Sequence, residues 1–233
     1  MRVETAEIER KVLHVALCLM LAFPYVIPDF PRAEFFSALA LSAALINAVM
    51  LKKPLLTQEI RVKIREKRRK AIEALKSVSP PTVIKNIDVI DSLFTKLEET
   101  FEEQISRMER SYERVGGYIG VTHGILGVLV AEVLFKEKAF YGVLALLVID
   151  TISAIVGVMT GFKRKLPFSS TTVDGLIASA IVFSVVSVML LRVEVAKAGF
   201  AALSLALIEA YAPEDNLLLP PAGGFLAFIL GIL

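Results

Sequence analysis

The sequence holds one cysteine, Cys18, and it lies inside an apolar run. A disulfide framework is therefore excluded, and so is a metal site built on two cysteines. Cys18 reads as a small buried hydrophobe. Charge of one sign is lacking as well: 26 Lys/Arg against 24 Asp/Glu leave a net +2, so no general attraction to nucleic acid is expected. The first apolar run has no small-residue cleavage pattern and further runs follow it, so no cleavable signal peptide is expected. No inverted repeat of broken spans is visible, which argues against a channel or transporter.

What the chain has in abundance is apolar sequence. It is 55% hydrophobic, with a mean hydropathy of +0.66. The apolar residues fall in seven runs, at 12–28, 33–51, 118–135, 139–160, 176–191, 198–212 and 217–233. Each approaches the roughly 20 residues a helix needs to cross the hydrocarbon layer. Backbone groups in lipid must be satisfied internally, so these runs are expected to be helices. The expected fold is an all-α polytopic bundle of about seven spans, with residues 1–51 forming the first two and 118–233 the other five.

Residues 52–117 are different in kind. Two polar helices are expected, at 56–77 and 81–114, broken at Ser79-Pro80-Pro81, where proline forces a turn. In the second, Ile87, Ile90, Phe94, Leu97, Phe101, Ile105, Met108 and Tyr112 recur at spacings of three or four, the seam of a coiled coil. Leu56, Ile60, Ile64, Ile72 and Leu75 offer a facing stripe. Residues 52–70 hold nine Lys/Arg and two Glu, whereas the second helix carries Asp88, Asp91, Glu98, Glu99, Glu102, Glu103, Glu109 and Glu113. An antiparallel hairpin in water is the expectation, either paired only with itself or serving as a docking arm for a protein partner or for self-association.

Lys52, Lys53 and the basic cluster from Arg61 to Lys70 place the hairpin in the cytoplasm by the positive-inside bias. Alternation then puts the amino terminus, with Arg10 and Lys11, on the same side. Segment 162–174, with Lys163, Arg164 and Lys165, follows, as does the turn at 213–216, which has no basic residue and two acids.

Ionisable groups inside spans are costly and point to function. Asp150 lies in the middle of 139–160, Glu209 near the cytoplasmic end of its span, and His14 a turn inside the first. His123 reads as structural. Asp215 and Asn216 occupy the turn before the last span, ahead of Pro220 and Pro221; they also read as a simple turn pair. Asp174-Gly175 opens the fifth span after Ser169-Ser170-Thr171-Thr172, and Asp174 also reads as a helix cap. Carboxylates with Lys and Arg at one membrane face suit a Mg²⁺–polyphosphate ligand, and Gly175 would admit backbone N–H groups to a phosphate.

At these residues the sequence resembles the CTP-dependent lipid-alcohol kinases: dolichol kinase, phytol kinase and the yeast-type diacylglycerol kinase. Glu9-Arg10-Lys11-Val12-Leu13-His14 is similar to the family's Arg-Lys-x-x-His. Asp150 to Gly157, with Gly161 and Lys163, resembles Gly-Asp-x-x-Ala-x-x-x-Gly. Thr171-Thr172-Val173-Asp174-Gly175 stands where the family has Lys-Ser/Thr-x-Glu-Gly. Glu209-Ala210 and Asp215-Asn216 with Pro220 resemble Glu-Ala…Asp-Asn-x-x-x-Pro. Ile149, Thr171 and Asp174 replace the family's Gly, Lys and Glu.

The resemblance implies Mg²⁺-dependent transfer of the γ-phosphate of CTP to a polyprenol, dolichol or diacylglycerol hydroxyl. It implies Asp150 and Asp215 as metal ligands with Asn216 in support. Arg10, Lys11, Lys163, Lys165, Thr171, Thr172, Asp174 and Gly175 would bind the nucleotide, and His14 or Glu209 would accept the hydroxyl proton. Two other readings share these residues: a cytidylyltransferase making a CDP-lipid, and a non-catalytic membrane scaffold.

Overall fold

The computed structural model describes residues 2–52, 56–78, 89–96, 119–161 and 163–232. Eight long helices are found among them: α1 Arg2–Ala22, α2 Arg32–Lys52, α3 Leu56–Val78, α4 Ile119–Phe135, α5 Ala139–Met159, α6 Val173–Leu191, α7 Val195–Tyr211 and α8 Asp215–Leu230. Short 3₁₀ turns at Phe23–Tyr25 and Lys136–Lys138 follow α1 and α4. Among the described residues β-structure is confined to one isolated bridge, Lys165 with Thr172. The all-helical expectation holds there.

Three stretches are long and apolar enough to cross a membrane: Arg32–Val49, Gly120–Met159, which holds both α4 and α5, and Val173–Leu191. The chain divides into two compact units, Met1–Leu45 with Tyr118–Leu233, and Ile46–Gly117.

The first unit turns an apolar face outward and small side chains inward. Large apolar side chains such as Leu41, Val133, Met189 and Phe228 face outward, while Ala139, Ala145, Ala198, Ala201, Ala202, Ala206 and Ala227 fill the interior. Small residues let helix backbones approach closely where no water is available to drive association. Large residues inside, Tyr141, Ile149, Phe183 and Leu205, fill the gaps, and Tyr141 reaches Ser187 on α6 with a hydroxyl contact of 3.1 Å.

The tightest packing is between α5 and α8. A Cβ on Gly142 would lie 1.9 Å from the Pro220 carbonyl oxygen, and one on Gly223 would lie 2.4 Å from the Gly142 Cα. Only glycine permits this approach. Pro220 and Pro221 lie inside α8 and lack the amides that would bond Asn216 and Leu217 four residues earlier. The freed carbonyls face α4, where a Cβ on Gly127 would stand 2.7 Å from Leu217 O and 2.8 Å from Asn216 O. Glycine on the neighbouring helix thus accommodates the two carbonyls that the prolines leave without an internal donor.

Several boundaries differ from those read in the sequence. Helix α1 begins at Arg2, well ahead of the apolar run. Asp215 and Asn216 form the first turn of α8 rather than a turn between spans. Glu214 stands at its N-cap, and its carbonyl accepts from Leu217 and Leu218 at 3.2 Å. At the start of α6 the cap is Thr172, whose hydroxyl oxygen accepts from Gly175 N–H at 3.0 Å, and Asp174 lies in the first helical turn.

In the second unit α3 follows the expected helix closely, and residues 89–96 are helical. The break at Ser79-Pro80-Pro81 and most of the second polar helix lie outside the described residues. Where the two helices meet, the contact is polar: Arg68 Nε is 3.3 Å from Asp91 Oδ1, and Arg68 Nη2 donates to Thr95 Oγ1 at 3.2 Å. The expected meeting of apolar stripes is not seen there. Ile64, Leu75, Ile90 and Phe94 are exposed and Ile72 is half-buried.

Candidate functional site

Four elements of the first unit bring ionisable side chains to one place. Helix α1 offers Lys11, His14 and Cys18, which share a face because they stand three and four residues apart. That face lies on α5. Lys11 Nζ donates to Asp150 Oδ1 at 2.5 Å, and His14 Nε2 is 3.0 Å from Asp150 Oδ2. His14 Nε2 also stands 3.3 Å from the Leu146 carbonyl oxygen, one turn before Asp150, and 3.3 Å from Cys18 Sγ. Acceptors on two sides suit a proton on Nε2.

Asp150 and Lys11 are almost entirely buried. A charge taken out of water needs a partner, and each supplies the other's. Arg10, half-buried beside them, adds positive potential at Asp150.

Two further carboxylates close on Asp150 from α7 and α8. Oxygens of Asp150, Glu209 and Asp215 all lie within 4.8 Å of one another. The α7–α8 connection is short, so Glu209 near the end of one helix and Asp215 at the start of the next are brought to one end of the bundle. Asn216 follows Asp215, and its backbone N–H donates to Asp215 Oδ1 at 2.7 Å, which fixes that carboxylate.

The connection between α5 and α6 folds over Glu209. Leu166 N–H donates to Thr171 O at 2.9 Å and Val173 N–H to Arg164 O at 2.7 Å, making a narrow loop. Ser169 Oγ donates to the Ala210 carbonyl at 2.6 Å, and Thr171 Oγ1 donates to Glu209 Oε2 at 3.4 Å. Ser153, one turn beyond Asp150, lies close to Glu209 as well. A Cβ on Gly175 would meet Ser153 O at 2.6 Å, so glycine lets the start of α6 sit directly on α5.

The structure therefore gathers Lys11, His14, Asp150, Glu209 and Asp215, with Arg10, Thr171 and Asn216 at their side. Asp174 is not in the three-acid group; it pairs with Arg164 at 3.4 Å. Gly175 N–H is already bonded to Thr172, so its part is close packing and not the open N–H cradle that the sequence suggested. Lys163 and Lys165 are exposed on the loop. His123 on α4 stands 3.4 Å from Glu214, beside the acids.

A second buried polar group was not singled out in the sequence. Glu132 on α4 accepts from Tyr25 Oη at 2.8 Å and from Arg32 Nε at 3.2 Å, and Arg32 also pairs with Glu137. The Arg32 guanidinium lies 5.1 Å from the Tyr25 ring centre. An acid in the apolar run 118–135 was the available signal. Every member has a partner, so this group ties α4 to the turn between α1 and α2. No family model matches the chain, and no curated protein and no solved structure is significantly similar to it.

Proposed function

We propose that this protein is a membrane lipid-alcohol kinase that moves the γ-phosphate of CTP to the hydroxyl of a polyprenol, dolichol or diacylglycerol-type lipid. The observation that carries the reading is the meeting of Asp150, Glu209 and Asp215, drawn from three helices, within 4.8 Å. The resemblance to the CTP-dependent kinases pointed to these same three acids, and the distance in sequence between Asp150 and the other two gives no local reason for it to meet them.

Oxygen donors this close suit a hard divalent cation such as Mg²⁺, which takes a few carboxylates and leaves positions for phosphate oxygens. Asp215 and Asp150 would hold it, and its charge would offset that of the phosphoryl group. The chain's own groups do the rest. Lys11 and Arg10 bring positive charge to the edge of the acids, where a polyphosphate needs it. Thr171 holds Glu209 in place, with Ser153 close by. His14 or Glu209 would accept the lipid hydroxyl proton. Positioning and charge neutralisation supply most of the rate in such transfers.

The full reading includes seven spans with the acids at the cytoplasmic face. The three apolar stretches and the outward-facing hydrophobic side chains support it. A lipid hydroxyl would then meet a nucleotide at the membrane surface while its tail stays in hydrocarbon.

The test is an assay of the purified protein with γ-labelled CTP and ATP against a panel of lipid alcohols. Label in the lipid with CTP is the expected result. Transfer of the CMP unit instead would make the protein a cytidylyltransferase, and absence of Mg²⁺–CTP binding would leave a scaffold.

A further inference from the structure

The connection between α5 and α6 carries at its tip an aromatic ring that packs against nothing. Phe168 is 104% exposed, more than any other large hydrophobic side chain among the described residues. The next in order, Met159 where α5 ends, is 80% exposed and lies at the same end of the bundle.

The tip is a braced turn. Ser169 N–H donates to the Leu166 carbonyl at 3.3 Å, which sets Pro167 and Phe168 at the turn's centre. Leu166 N–H closes the base by donating to Thr171 O at 2.9 Å, and Ser169 Oγ pins the turn to the Ala210 carbonyl at 2.6 Å. Phe168 has a φ of 60°. A positive φ directly after proline is the pattern of a type II turn, and that position favours glycine or asparagine. An aromatic residue there carries backbone strain, and strain held by a braced loop points to a use for the side chain.

Place and charge select what covers the ring. On either side of the loop the stretches Gly120–Met159 and Val173–Leu191 are long and apolar enough to cross a membrane. A loop joining two such helices leaves the hydrocarbon at the headgroup layer. Lys163, Arg164 and Lys165 are exposed on it, and the one acid between Met159 and Gly175, Asp174, stands 3.4 Å from Arg164. The excess of charge is therefore positive. Basic residues beside an apolar ring match an anionic leaflet, whose phosphates meet the cations while its acyl boundary takes up the ring. Stacking on a nucleotide base would need Phe168 to line a pocket, and at its exposure it lines none.

We propose that the α5–α6 loop docks on the headgroup layer of an anionic leaflet, with Phe168 inserted at the hydrocarbon boundary and Lys163 and Arg164 against lipid phosphates. The proposal rests on α5 and α6 as membrane-crossing helices and stands apart from phosphoryl transfer.

The chain contains no tryptophan, so Phe168→Trp supplies a single reporter. The full-length variant is placed in nanodiscs of phosphatidylcholine, alone or mixed with phosphatidylserine, each made with plain or brominated acyl chains. The reporter should emit to the blue of tryptophan in water, lose intensity to brominated chains and resist quenching by acrylamide. Loss to brominated chains should be greater when phosphatidylserine is present, and Lys163→Gln/Arg164→Gln in the same protein should remove that excess. Phe168→Cys carrying an environment-sensitive fluorophore repeats the reading on a second variant, since the native Cys18 is buried. A reporter open to acrylamide and untouched by brominated chains would overturn the proposal. So would quenching by Mg²⁺–CTP in place of lipid, which would make the ring a base-stacking residue. A phosphatidylserine excess that survives the double substitution would overturn the role given to Lys163 and Arg164.

Discussion

Lys11 and Asp150 stand 139 positions apart in the chain and 2.5 Å apart in the fold. Both side chains are buried, so the pair is both the electrostatic bridge between α1 and α5 and the positive wall of the acidic site.

Breaking that pair from one side leaves a charge stranded. Lys11→Met should destabilise the protein by about 3–5 kcal/mol, whereas Lys11→Met combined with Asp150→Leu should recover most of the loss. Thermal unfolding of the two variants in one detergent measures this; equal losses in both would remove the bridge.

Asp215 is half-exposed at the first turn of α8, and its carboxylate belongs to the acidic group. Asp215→Ala should lower phosphoryl transfer by on the order of a thousandfold, with stability changed by less than about 0.5 kcal/mol. Full activity in that variant would take Asp215 out of the mechanism.

Removal of divalent cations should abolish activity, and Mg²⁺ should restore it. Independently of turnover, Mg²⁺ should raise the melting temperature of the wild type by stabilising the native state. The same addition should have little effect on Asp215→Ala. An identical shift in both proteins would place the cation elsewhere.

The glycines separate by surroundings. Gly142→Ala should cost about 3 kcal/mol or more, since the added methyl meets the Pro220 carbonyl in backbone that cannot move aside. Gly124→Ala and Gly199→Ala, where nothing lies within 4 Å, should instead stabilise their helices by about 0.5–1 kcal/mol. Thermal shifts of the three variants, measured side by side, check the close contact of α5 with α8.

The apolar helices were legible because an apolar run of helical length has few alternatives, and α2, α4 and α5 lie within a residue or two of the runs that forecast them. The acids were legible for the complementary reason. Asp150 and Glu209 are expensive inside apolar helices, and their cost marks them without any knowledge of the fold. Hydropathy does not register charged residues that are good helix formers, so the first turns of α1 were missed. Nor does it choose between Thr172 and Asp174 as a cap, since both residue types serve. The face by which α3 meets residues 89–96 was illegible because a charged stripe and an apolar stripe compete on one helix. Glu132 could have been found by the rule that found Asp150. The loop's grip on Glu209 through Ser169 and Thr171 depends on tertiary approach, which spacing alone does not encode.

A proline pair ordinarily makes a helix compliant, because two rungs of its internal ladder are gone. In α8 that compliance is cancelled. Gly127 admits the unbonded carbonyls of Asn216 and Leu217 against α4, and Gly142 receives the carbonyl of Pro220 on α5, so the weak point is wedged on both flanks. Asp215, one turn above it, is thereby a fixed datum for the site. An incoming charge thus meets Asp215 on a helix start held against both α4 and α5.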